Sequence, residues 1–490
     1  MKKRPNIVIF NPDQWRGDVL GHNGNPAAVT PNLDKMVKTD GVSFVNTFCQ
    51  NPVCTPSRCS FMSGWYPHVK GHRTMHHMMK QDEPVLLKTL KDNGYFVWWG
   101  GKNDLIPGQN PDTLCCDVRY KPDQDKKKIR PIWQIDRESE WRGKPGSDKY
   151  YSFYVGKLDK GTEEVYFDNE WAFVHGAIDF IENNRSDKPF CIYLPLTYPH
   201  PPYAVEEPWY SMIDRNKMPK RIPVPKDWKG KPSLLKGIYE NQHLQNFTEK
   251  EWTELRATYY GMCARVDHQY GLMIKALKDA SLYDDTAVFF FSDHGDFTGD
   301  YGLVEKTQNT FEDCLSNVPF VVKLPKSFDV KPGIRENLVE LIDFPATVEE
   351  ITGIKPEHTH FGRSLVPLMQ NEKEEHRDAV FCEGGRLHKE NHCMEDFNRS
   401  KEHLYWPRTS LQRSEGPEHT KAVMCRTKEY KYIRRLYESD EFYDLKKDPQ
   451  ELKNCITEPE YQRIISQHKE RMLTFFMETG DVVPFKVDKR

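Results

Sequence analysis

Apolar residues fall along this chain in short unbroken runs separated by polar turns. The runs are Ile7–Phe10, Phe96–Trp99, Phe190–Leu194, Val288–Phe291 and Val318–Val322. Each is rich in β-branched or aromatic residues and bounded by turn formers, which predicts strands buried on both faces of a sheet. Between the runs the spacing is helical. Leu255, Tyr259, Met262, Val266, Tyr270, Ile274 and Leu277 mark a predicted helix over Trp252–Lys278. Thr30-Pro31-Asn32 reads as a capped helix start, and Leu86–Leu90 lies in another short helix. Strands alternating with helices predict an α/β fold, with a large, mostly parallel sheet flanked by helices.

The pattern changes after about residue 370. Val380–Cys382, Ala422–Arg426 and Tyr430–Arg434 predict short strands, with Thr427-Lys428-Glu429 as a hairpin connection. Glu460–Glu478 predicts a helix with Ile464, Ile465, His468, Met472, Phe475 and Phe476 mostly on one side. The chain therefore divides into a large unit, 1–370, and a smaller C-terminal α+β subdomain, 371–490. Segments 105–165 and 200–250 are rich in Lys, Asp, Pro and Trp and read as surface insertions that shape a pocket.

Of the 490 residues, 37% are apolar and 29% charged, a globular balance, and the net charge of −3 provides no overall basic field for nucleic acid or an acidic membrane. No run approaches the ~18 apolar residues of a membrane span. The basic start MKKR is followed by only four apolar residues, Ile7–Phe10, too few for a secretory signal, so a cytoplasmic location is expected. Twelve cysteines lie scattered without paired metal spacing and read mostly as reduced thiols.

Ligands of an open parallel sheet bind beyond the carboxyl ends of its strands. There the sequence places Asp13-Gln14 after the first run, Gly101-Lys102-Asn103-Asp104 after Phe96–Trp99, His200 after Phe190–Leu194, and Asp293-His294 after Val288–Phe291. Asp13, Gln14, Asp293 and His294 offer mostly oxygen donors and suit one hard divalent cation, Ca²⁺ ahead of Mg²⁺ or Mn²⁺. Read singly, Asp-His-Gly and Asp-Gly motifs are turns. Carboxylates at two strand ends and basic residues at two others favour a site.

The strongest local signal is Cys54-Thr55-Pro56-Ser57-Arg58 within NPVCTPSRCSFMSGWYPHVKGHRT. Alone it also reads as a cysteine before a turn, with Ser57 capping a helix. The whole stretch resembles the signature of the type I, formylglycine-dependent sulfatases of the alkaline-phosphatase-like superfamily. The resemblance runs on through PNIVIFNPDQWRGDVLG, TPNLDKM, GGKNDL, SDHGD and Lys306 to EFYDLKKDPQE. It implies that a maturation enzyme oxidises Cys54 to formylglycine, whose hydrate is the nucleophile. It also implies that Arg58 stabilises that nucleophile, that Lys102 and Lys306 hold sulfate oxygens, and that His200 lies at the ester oxygen. Asp13, Gln14, Asp293 and His294 are then the metal ligands. The implied activity is hydrolysis of a sulfate ester, on a terminal sugar of a glycan-derived saccharide.

Two positions depart from the family pattern. Asp13-Gln14 replaces a frequent Asp-Asp pair, and Asp104 replaces a frequent histidine, so that Asp104 either orients Lys102 or takes a proton. Asp13-Gln14 and Tyr198-Pro199-His200-Pro201-Pro202 also resemble the phosphonate monoester hydrolases and phosphodiesterases of the superfamily; Lys102 favours the sulfatase. An alternative of another class is a binding protein with unconverted Cys54. His77, Asp104, Arg386 and His388 are expected to contact substrate. The loop Glu383–Phe397, with Arg386, His388, His392 and Glu395, is expected to wall the mouth together with the two insertions. His72, His76 and His77 lack neighbouring carboxylates in sequence and read as packed or solvated rather than as a second metal site. Trp98 and Trp99 read as core, whereas Trp133, Trp141 and Trp209 are free to stack on a sugar. Lys126–Lys128 reads as a solvated face.

Overall fold

The computed structural model describes residues 4–123, 129–130, 142–184, 186–395, 400–487 and 489. Lys126–Lys128, Trp133, Trp141 and Phe397 lie outside them.

Fifteen strands are named: β1 (Asn6–Asp13), β2 (Val42–Phe48), β3 (Phe96–Gly100), β4 (Val118–Tyr120), β5 (Tyr154–Leu158), β6 (Phe190–Pro199), β7 (Tyr203–Glu206), β8 (Thr286–Phe291), β9 (Asn317–Val318), β10 (Phe320–Lys323), β11 (Gly333–Glu340), β12 (Val380–Gly384), β13 (Ala422–Arg426), β14 (Tyr430–Arg435) and β15 (Glu441–Asp444). Nine form the large sheet, in the order β11-β2-β10-β8-β1-β6-β3-β4, with β9 paired to β2. Its centre is parallel (β8-β1-β6-β3-β4), and β10 is antiparallel to both β8 and β2. The predicted run Val318–Val322 is two strands instead of one. Pro319 has no N–H for the ladder, so β9 and β10 separate there.

Alternation along the central strands explains their uniform hydrophobicity. Val8, Phe10, Ile192, Leu194, Val288 and Phe290 point to one face, against the Glu249–Asp279 helix through Leu255, Tyr259, Met262, Val266 and Tyr270. Ile7, Ile9, Cys191, Tyr193, Phe289 and Phe291 point to the other, against Phe61 and Met62 of the Cys54–Ser63 helix and Phe344 of the Asp343–Thr352 helix. The long helix starts before Trp252 because Thr248 and Glu251 form a capping box, with Glu251 Oε2 accepting from Thr248 N at 2.9 Å. At the Pro31 helix, Thr30 makes no side-chain cap; its hydroxyl donates to Asp34 at 3.0 Å.

The second sheet is antiparallel, β12-β13-β14-β15. The Gln462–Thr479 helix covers it, and Phe475 stacks on Phe381 with ring centroids 3.9 Å apart. All twelve cysteines are free and buried. Among the described residues no helix is long and apolar enough to cross a membrane. Segment 200–250 is only partly a surface insertion. Its start, through β7, is buried, and β7 pairs with β5.

Candidate active site

The site lies where β1 and β8 end beside the start of the Cys54–Ser63 helix. The β1–β6 register shifts between Asn11 and Asp13, and Gln14 follows with φ 69°, a left-handed conformation that side chains disfavour. Past the irregularity Asp13 still pairs, with Pro199, and Gln14 leaves the ladder, so both side chains reach the site. Past the end of β8, after Ser292, come Asp293 and His294. His294 Nδ1 lies 2.9 Å from the Gly295 carbonyl, so the proton sits on Nδ1 and the Nε2 lone pair faces inward. Ligand atoms of Asp13, Cys54, Asp293 and His294 all lie within 4.8 Å of one another, and all four residues are buried.

Two buried carboxylates this close need compensating charge. Arg58 supplies part of it. Its NH2 lies 2.9 Å from Asp13 Oδ2 and 2.8 Å from Asp293 Oδ2, while NH1 donates to Asn11 Oδ1 at 2.9 Å. Burial alone would raise the Asp13 carboxyl, but Lys102 and Arg58 more than reverse this and hold it well below the ordinary carboxylate range. Two carboxylates and an imidazole lone pair suit a divalent cation. The side chain of Gln14 is otherwise engaged. Its Oε1 accepts from Lys306 Nζ at 2.6 Å and its Nε2 donates to Asp296 Oδ2 at 2.5 Å.

The Cys54 thiol sits at the helix start. Burial, then the Asp13 carboxylate, push it far above the ordinary thiol range. As a thiol it is protonated and a poor nucleophile. Ser57 is not the cap; its hydroxyl donates to the Asp293 carbonyl at 2.6 Å and ties the helix to β8.

Three basic side chains converge on Cys54. Lys102 arrives through Gly101, whose φ of 123° and whose contact with Pro195 O, 2.1 Å from where a Cβ would sit, exclude any side chain. Lys102 Nζ lies 2.6 Å from Asp13 Oδ2, 2.8 Å from Asp104 Oδ2 and 3.5 Å from the Cys54 sulfur. Asp104 thus lies on the lysine. Lys306 pairs with Glu305 at 2.8 Å. His200 Nδ1 lies 2.6 Å from the Pro201 carbonyl, and burial followed by the Lys306 charge lowers its pKa well below the ordinary imidazole value. It is neutral, with Nε2 left as the acceptor.

These residues open into a cavity of about 410 Å³. Its lining is Cys54, Lys102, Asp104, His200 and Lys306, with Val53, Met75 and His76, and with Glu395, His403, Tyr405, Arg408 and Thr409 from the C-terminal part. Several expected contacts lie elsewhere. His77 is outside the lining, with its Nδ1 2.5 Å from the Thr74 hydroxyl, and its neighbour His76 takes the wall position. Arg386 is spent on the carbonyls of Leu387, Gln412 and Ser414, at 3.1, 2.6 and 2.9 Å. His388 stacks on Tyr437 with centroids 3.7 Å apart. His392 is likewise outside, and of the loop Glu383–Phe397 only Glu395 lines the cavity among the described residues. Apart from His200, no described residue of the two insertions does so. His72 does have a carboxylate partner, Glu83, at 2.9 Å. Trp209 is buried against Trp171 and His268 and offers no sugar platform. Glu305, His403, Tyr405 and Arg408 carry no sequence signal. They come from short stretches of mixed character placed by tertiary contacts.

Residues 5–354 match the sulfatase family, and residues 398–478 match the family described as N-sulphoglucosamine sulphohydrolase, C-terminal. An arylsulfatase of Clostridium perfringens is 26% identical over 94% of this chain and 92% of its own length. The phosphonate monoester hydrolase of Agrobacterium radiobacter has the same fold, with a TM-score of 0.75 at 21% identity over 99% of this chain and 100% of that one. A structure described as a 2-O GAG sulfatase superposes with a TM-score of 0.71 at 20% identity over 98% of this chain and 93% of that one. With its family match spanning the first sheet and every strand-end residue of the site, the chain belongs to the sulfatase family and is a sulfuric ester hydrolase.

Proposed function

We propose that the chain removes sulfate from a terminal sugar residue of a glycan-derived saccharide, using Cys54 converted to formylglycine. The observation that carries this reading is the convergence of Lys102, His200 and Lys306 on Cys54 inside one cavity. Hydration of the aldehyde gives two hydroxyls on one carbon. One, deprotonated, attacks sulfur, and the bond from sulfur to the sugar oxygen breaks. The second loses its proton, the carbon–oxygen bond to sulfate breaks, and the aldehyde returns, so one water is consumed per ester. Asp13, Asp293 and His294 would hold a divalent cation, which would supply charge that favours the deprotonated hydroxyl, while Gln14, the fourth expected ligand, has its oxygen on Lys306. Arg58 stays between the two carboxylates and compensates their charge. Lys102 and Lys306 meet the sulfate oxygens, where negative charge grows. His200, neutral in the free site with Nε2 open, takes up the proton that the attacking hydroxyl releases and passes it to the leaving oxygen as the bond to sulfur breaks.

We take Ca²⁺ as the metal because the donors are mostly oxygen. Stoichiometric zinc in the protein as isolated would overturn that choice. The boundary near residue 370 is supported by the two matched segments on either side of it. The sugar is supported by the matched C-terminal family and by the 2-O GAG sulfatase fold neighbour. Attack at a chain end is supported by lining drawn from both parts of the chain, and a formylglycine-generating enzyme is the implied partner. One observation favours phosphodiester or phosphonate cleavage instead: Gln14 in place of a second acidic residue, together with the phosphonate hydrolase fold neighbour. A panel of defined sulfated oligosaccharides, aryl sulfates, phosphodiesters and phosphonates decides. Fastest release from the terminal sulfated sugar is expected, and faster phosphodiester cleavage by the converted protein refutes the reading.

A further inference from the structure

Lys306 is tied to the C-terminal part of the chain by a run of buried charges. Its Nζ lies 2.8 Å from Glu305 Oε1, and the other oxygen of that carboxylate lies 3.5 Å from Arg408 Nε. Arg408 NH1 donates to Glu395 Oε2 at 2.7 Å. Lys306, Glu305, Arg408 and Glu395 are all buried. Glu305 has φ 71°, in the left-handed region that side chains disfavour. Its backbone is pinned there, its carbonyl accepting from Phe297 N at 3.0 Å and its N–H donating to the Tyr203 hydroxyl at 3.2 Å. The conformation brings Glu305 and Lys306, although adjacent in sequence, into contact with each other and with the cavity wall.

A buried carboxylate paired with one lysine alone would hold that ammonium tightly and take up the charge an anionic substrate needs. Glu305 is shared. Arg408 engages it from the far side and is itself fixed by Glu395. We propose that Arg408 is the positioning residue for Lys306: by holding Glu305 it fixes the ammonium at the sulfate position and leaves its charge to the ester. The proposal rests on the reading of Lys306 as a sulfate-oxygen ligand. It makes the turn Trp406–Thr409, which carries Arg408, part of the working site.

The test is a double-mutant cycle on inorganic sulfate binding, measured by titration calorimetry on the full-length chain. Arg408→Gln is expected to weaken sulfate about ten-fold in the wild-type background and hardly at all on Lys306→Ala. Arg408→Lys is expected to recover most of the loss. In turnover, Arg408→Gln is expected to raise KM more than it lowers kcat, since sulfate is held in ground state and transition state alike. An equal loss in both backgrounds overturns the proposal, as does unchanged sulfate affinity in a folded Arg408→Gln protein. Should Arg408→Gln not fold, Glu395→Gln enters the same cycle under the same criterion. A chain that proves to cleave phosphodiesters fails the functional reading yet shows the same coupling with inorganic phosphate, so the two failures are told apart.

Discussion

The sulfur of Cys54 lies 3.2 Å from Nε2 of His294, the nitrogen that His294 does not spend on the Gly295 carbonyl. Cys54, the residue proposed to be oxidised, is therefore seated against the candidate metal ligands, with Lys102 Nζ 3.5 Å away. Because burial and Asp13 hold the thiol protonated, an unconverted protein has no competent nucleophile. Cys54→Ala is expected to fold normally and to retain less than about 1% of turnover. The peptide around Cys54 from active protein is expected to be lighter by about 18 Da than the thiol form. Full activity in a sample whose Cys54 is entirely thiol would sink the nucleophile assignment.

Lys102 stands between two carboxylates, Asp13 and Asp104, at 2.6 and 2.8 Å. Burial disfavours its charge, and Asp104 followed by Asp13 restore it, leaving the ammonium well above the ordinary lysine range. Lys102→Ala is expected to lower kcat/KM by about 10²–10³, the scale of losing one preorganised donor. Asp104→Asn removes one tether and keeps the cation, so a smaller loss, about ten-fold, is expected. Steady-state kinetics on the preferred ester ranks the two. An Asp104→Asn loss equal to that of Lys102→Ala would instead make the carboxylate a proton carrier.

The fold was legible where residues are buried on both faces of the sheet. Ile7–Phe10 and Val288–Phe291 run unbroken because their neighbours cover both sides. β2 and β11 were not, because Ser43, Asn46 and Thr47 interrupt the first, while the second lies at the sheet edge with Ile334 exposed. The floor of the site was legible for a related reason. Asp13, Lys102, His200 and Asp293 each follow an apolar run, and a parallel sheet gathers strand ends. Arg408 and Tyr405 lie in a short mixed segment, Leu404-Tyr405-Trp406-Pro407-Arg408, without period, and only the folding of the C-terminal part brings them to the cavity. Arg386 misled for the opposite reason. It is a cation in a loop whose backbone carbonyls, supplied by tertiary contacts, use it up.

Glu170 gives a pH signature of stability. It is buried on the Asn169–Asn183 helix, and its Oε2 accepts from Thr197 N at 2.7 Å and Tyr198 N at 3.2 Å, just before His200. Burial, then the Asp168 carboxylate, push it up to about 7. Between the unfolded value of about 4.3 and that value, the folded state keeps a proton that the unfolded chain has released. Stability therefore falls as pH rises through this window, and the cost is complete above it. Glu170→Gln keeps an acceptor oxygen and has nothing to ionise. It is expected to be more stable than wild type at pH 8, by on the order of 1–3 kcal/mol, with the gain vanishing near pH 4. Thermal unfolding over that range reads it out, and a gain independent of pH would contradict the assignment.

Arg265 anchors the long helix to the segment that carries His200. It is fully buried, its NH2 bonds both Asp168 oxygens at 2.6 and 2.7 Å, its NH1 lies 3.3 Å from Glu206 Oε2 on β7, and its guanidinium lies 4.5 Å from the centre of the Tyr198 ring. The planar fork satisfies two carboxylates and an aromatic face at once, a combination no lysine matches. Arg265→Ala would leave Asp168 and Glu206 buried without their cation, and breaking a buried pair in this way costs about 3–5 kcal/mol. Arg265→Lys keeps the charge but loses the bidentate contact, so an intermediate loss is expected. Asp168→Asn combined with Arg265→Met removes both charges of the tightest pair, and it is expected to recover part of the stability lost in Arg265→Ala. Urea unfolding of the three proteins orders them. If Arg265→Ala unfolds at the wild-type midpoint, the triad contributes nothing to holding the helix against β7, and the placement of His200 must depend on other contacts.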